Sequence, residues 1–196
     1  MRWRKTILIL VVLFAELFNF PTVGNAETAY LKTDQFVSMY NRYVDWYADK
    51  QKQSPSTTIN FSDLKIYSLQ TTEQKNVAFT ILPSSVIMYI VEYKTGEVAG
   101  VAFSYMIYPN EDKKTIYNRA AYVGAAAYLS CNALGVPSDE NASIVNKIVD
   151  IAGKSYKNLE QPFKTKVYNQ SKHRNMVMVH EFNKEDKAFE LSIFFE

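Results

Sequence analysis

A chain of 196 residues, 47% hydrophobic, with one cysteine and a formal net charge of +2, is long enough to bury its own core and forms no internal disulfide. Three of its 22 basic residues and one of its 20 acidic residues fall in the first 26, so residues 27–196 hold 19 of each. That balance leaves no overall field to draw the domain to nucleic acid or anionic lipid, and clusters such as Lys164/Lys166 and Lys172/His173/Arg174 read as solvated strand ends.

Arg2, Arg4 and Lys5 begin the chain, an almost wholly apolar run follows from Thr6 to Phe20, and Gly24 and Ala26 precede Glu27. A charged start, an apolar helix and small residues at −3 and −1 are the order of a signal peptide. Residues 1–26 are therefore expected to be a leader cut before Glu27, with residues 27–196 forming a single domain, secreted or held in the periplasm or cell envelope. The alternative is an uncleaved anchor, the one route by which a membrane is expected to enter. Fifteen helical residues rise only about 22 Å against roughly 30 Å of hydrocarbon, and Glu16 adds to the cost of spanning. No cysteine follows the run to carry a lipid.

Beyond the leader, Thr33 can cap a helix to about Lys52, with Phe36, Tyr40, Tyr43 and Tyr47 as an apolar stripe. Residues 51–60 are polar and broken by proline, which predicts an exposed loop. From Phe61 the period becomes two. Strands are expected over Leu64–Leu69, Val77–Leu82, Val86–Tyr93 and Val98–Tyr108, with turns at Thr71–Lys75 and Lys94–Glu97. Short turns make these four an antiparallel meander. An alanine-rich helix from Thr115 to Leu134 stops at Gly135, and a second runs from Ser138 to about Gly153 with Ile144, Ile148 and Ile151 on one face. Three strands close the chain: Phe163–Asn169, Asn175–Phe182 and Ala188–Phe195.

The fold class this predicts is α+β: an antiparallel sheet of about seven strands in runs of four and three, with three helices mainly on one face. The order is α-ββββ-αα-βββ.

The candidate chemistry is sparse. Met176, Met178 and His180 alternate along one strand, so two thioethers and an imidazole share a side, a donor set suited to monovalent copper; the same pattern serves equally as core packing. Cys131 sits inside the alanine-rich helix, where a packed thiol is inert and an activated one would be a nucleophile. His173 and His180 are seven apart and cannot both reach one zinc from a single strand. No phosphate-binding loop, HExxH, CxxC or EF-hand pattern occurs, and no cofactor is expected. Paired carboxylates occur at Glu92/Glu97 and Glu111/Asp112, but both pairs flank turns, where charged residues are expected.

The aromatic content is the larger signal, 14 Tyr and 12 Phe. Tyr89, Tyr93, Tyr105 and Tyr108 cluster in the central hairpin and are the candidate ligand-binding residues. The expectation is an exported, non-enzymatic binding or interaction domain. A hydrolase built on scattered carboxylates and an envelope-associated protein held by its leader are the alternatives.

Overall fold

The computed structural model describes residues 31–53, 59–72, 76–106, 108, 111–135, 163–170, 175–183 and 187–195. They form an α+β fold with one antiparallel sheet. No helix among them is long and apolar enough to cross a membrane.

Helix α1 spans Thr33–Gln53. Thr33 does not cap it. Lys32 holds the capping position, its N–H donating to Gln35 Oε1 at 3.0 Å, one half of a capping box. The Thr33 hydroxyl instead donates to the Glu92 carboxylate, tying the helix start to the sheet. Phe36, Tyr40, Val44, Tyr47 and Ala48 are buried. Tyr43, expected in the stripe, stands just outside the margin of that arc and is half-buried.

Residues 51–60 are not uniformly exposed. Helix α1 continues through Gln53, Ile59 is buried, and the Gln51 side chain accepts from the Phe61 N–H at 3.0 Å. The strand expected over Leu64–Leu69 is absent. Phe61–Leu64 form a 3₁₀ turn capped by Asn60, and residues 65–69 lie outside any ladder. The cause lies in α1. Asn41 Oδ1 accepts from the Ile66 N–H at 2.9 Å, and Asn41 Nδ2 donates to the Ile66 carbonyl at 2.8 Å. One amide side chain thus supplies the donor and acceptor that a neighbouring strand would have offered.

The strands are β1 (Gln70–Thr71), β2 (Val77–Leu82), β3 (Val86–Glu92), β4 (Val98–Met106), β5 (Phe163–Gln170), β6 (Asn175–Asn183) and β7 (Ala188–Phe195). Their order is β1-β2-β3-β4-β7-β6-β5, every pair antiparallel. The last strand returns to pair with β4, so β4 and β7 form the middle of the sheet. Gly96 turns the β3–β4 hairpin with φ of 88°, a conformation other residues rarely adopt.

Register fixes the two faces. Met88, Phe103 and Leu191 lie side by side, as do Ile90, Val101 and Ile193, and all six are buried. Helix α2, Lys113–Ala133, packs on this side. Asp112 caps it, accepting from the Thr115 N–H and hydroxyl, both at 2.9 Å. From Val123 to Ala133 it is buried on all sides, because the sheet lies beneath it and α1 covers it. Ala125, Ala126 and Ala127 permit that close approach, and Gly135, with φ of 80°, ends the helix. The helix expected from Ser138 to Gly153 lies outside the described residues.

Candidate functional site

The strands alternate, as β-strands must, yet β2 and β3 are apolar on both sides. Their second face carries Val77, Phe79 and Ile81 beside Val91, Tyr89 and Ile87. Next come Gly100, Ala102 and Ser104 of β4, then Phe194, Ser192 and Glu190 of β7. Most of these are half-buried, and Ile81 is 62% exposed. Phe79 and Tyr89 meet as a tilted ring pair with centroids 6.2 Å apart. The ring of Phe194 lies against Gly100, where an added Cβ would stand 2.8 Å from the ring edge and 2.2 Å from the Ile193 carbonyl oxygen. Neither described helix lies on this face; α2 meets β3 and β4 on the side that holds the buried Met88, Ile90, Val101 and Phe103.

The four candidate tyrosines do not form one surface. Tyr89 belongs to the open face. Tyr93 follows β3 in the hairpin, its N–H donating to the Glu97 carbonyl at 2.7 Å. Tyr105 points into the core, 6% exposed and stacked on Phe189 with centroids 5.2 Å apart, and burial pushes its hydroxyl pKa up. Tyr108 is 49% exposed at the sheet's end, with the Arg119 guanidinium 5.6 Å from its ring.

Met176, Met178 and His180 occupy alternate positions of β6, opposite Phe195, Ile193 and Leu191. Leu191 and Ile193 are buried and lie beside Phe103 and Val101, so these register positions belong to the core side of the sheet. Among the described residues no group of three His, Cys, Asp or Glu side chains could hold a metal ion. Cys131 is fully buried, and desolvation pushes its thiol up to about 12.

Three of the four turn-flanking carboxylates, Glu92, Glu111 and Asp112, have structural partners. Glu92 accepts from Thr33, while Glu97, among the described residues, is tied in only through its backbone, which bridges to Lys32. Asp112 caps α2, and its bonds from Thr115 hold its carboxyl below the usual range. Glu111 is bonded to Arg119, a residue the sequence reading passed over. Arg119 is buried, and its Nε donates to the Ser84 carbonyl at 2.8 Å. Its Nη1 donates to the Met106 carbonyl at 2.9 Å and to Glu111 Oε2 at 2.6 Å, while Nη2 donates to Glu111 Oε1. Ser84 and Ser85 beneath it hold φ of 61° and 62°, a left-handed pair of non-glycine residues. An arginine inside an alanine-rich helix was the one available signal for this cluster.

Comparison with known proteins finds no matching family model, no matching curated protein and no matching solved structure.

Proposed function

We propose that this chain is an exported, non-enzymatic binding or interaction domain, and that it binds through the open face of its sheet. Its finer architecture is part of the same reading: α-ββββ-αα-βββ, with three helices mainly on one face. One observation carries the binding role. An antiparallel sheet with one face in water normally alternates apolar and polar residues, whereas β2 and β3 present Val77, Phe79, Ile81, Ile87, Tyr89 and Val91 on the side away from the helices. Accessible apolar surface of that kind marks docking sites. The export half rests on the order of residues 1–26, and N-terminal sequencing of the protein from an expressing host checks it. Glu27 is the expected first residue, and Met1 would replace export with anchoring.

The binding half is read with an apolar fluorescent dye such as anilinonaphthalene sulfonate, titrated onto the folded protein. Replacing Phe79 and Tyr89 together by serine should weaken dye binding at least about fivefold, the scale of losing two aromatic contacts. Replacing Tyr67, exposed but off this face, should leave it unchanged. Equal dye binding by all three proteins would sink the open face as the binding surface.

A further inference from the structure

We draw no further inference here: the strongest candidate, the strip of small residues Gly100, Ala102, Ser104 and Ser192 beside Tyr89 and Phe194 on the open face of the sheet, belongs to the surface already described, and nothing among the described residues shows what covers it.

Discussion

Tyr47→Ala is expected to destabilise the fold by about 3–5 kcal/mol in denaturant unfolding, the range for deleting a large buried aromatic. Tyr47 is where the first helix meets everything beneath it. Its ring stacks on Phe61 at 5.1 Å and meets Trp46 and Tyr128 edge-on at 4.8 and 5.8 Å. Its hydroxyl donates to the Tyr128 hydroxyl at 3.1 Å, a bond buried between α1 and α2. Burial drives both phenols upward, Tyr128 to about 12, so the pair remains neutral through the ordinary pH range. Truncation removes contacts on three sides that no single side chain can refill. Tyr47→Phe keeps the rings and loses only the bond, which costs about 1 kcal/mol. Tyr43→Ala, at the margin of the same helix, should cost roughly half the Tyr47→Ala value or less, since part of that ring is already in water. A Tyr47→Ala effect below about 1 kcal/mol would mean that the helix interface is not core.

What the sequence made legible was local. The period of two, the hairpin glycine at Gly96 and the helix stop at Gly135 are each signalled within a few residues. The errors arise where a distant group intervenes. Leu64–Leu69 has the composition of a strand, but the Asn41 side chain, 25 residues earlier, occupies the Ile66 backbone. The split of the tyrosines has a similar origin. Register between β3 and β4 shifts at Val91/Glu92, where a bulge takes up one residue. Because side chains alternate with a period of two, that single residue reverses the relative faces of the two strands. Tyr89 lies opposite Ala102 on the open side, while Tyr105 goes into the core beside Phe189. Without the bulge both would share a face; proximity in the hairpin sequence, which grouped them as candidates, carries no information about that shift. Likewise Ser84, Met106, Glu111 and Arg119 are scattered along the chain, and only the fold gathers them.

That gathering sets the second large effect. Arg119→Met should cost about 3–5 kcal/mol, because breaking a buried ion pair leaves the other charge uncompensated. The two side chains are 8% and 14% exposed. The Ser84 and Met106 carbonyls lose their donor in the same step. Glu111→Gln should cost less, since the amide still accepts from the guanidinium. The pair also fixes the sign of a pH dependence. Its bond to Arg119, aided by the Tyr108 N–H, holds the Glu111 carboxyl below the ordinary value of 4.5 despite a desolvation that acts the other way. A carboxyl with a lowered folded pKa contributes stability that is complete above the unfolded value and is lost as pH falls through the folded one. Unfolding free energy should therefore drop below pH 4.5 in the native protein, and this part of the drop should vanish in Glu111→Gln. Arg119 also anchors the left-handed Ser84–Ser85 turn, a backbone state that costs non-glycine residues about 1–2 kcal/mol each. Once the anchor is gone the turn is free to relax, so amide exchange around Ser85 should quicken in Arg119→Met and stay slow in Glu111→Gln. Equal exchange in the two variants would mean that Glu111, rather than the carbonyl bond to Ser84, holds the turn.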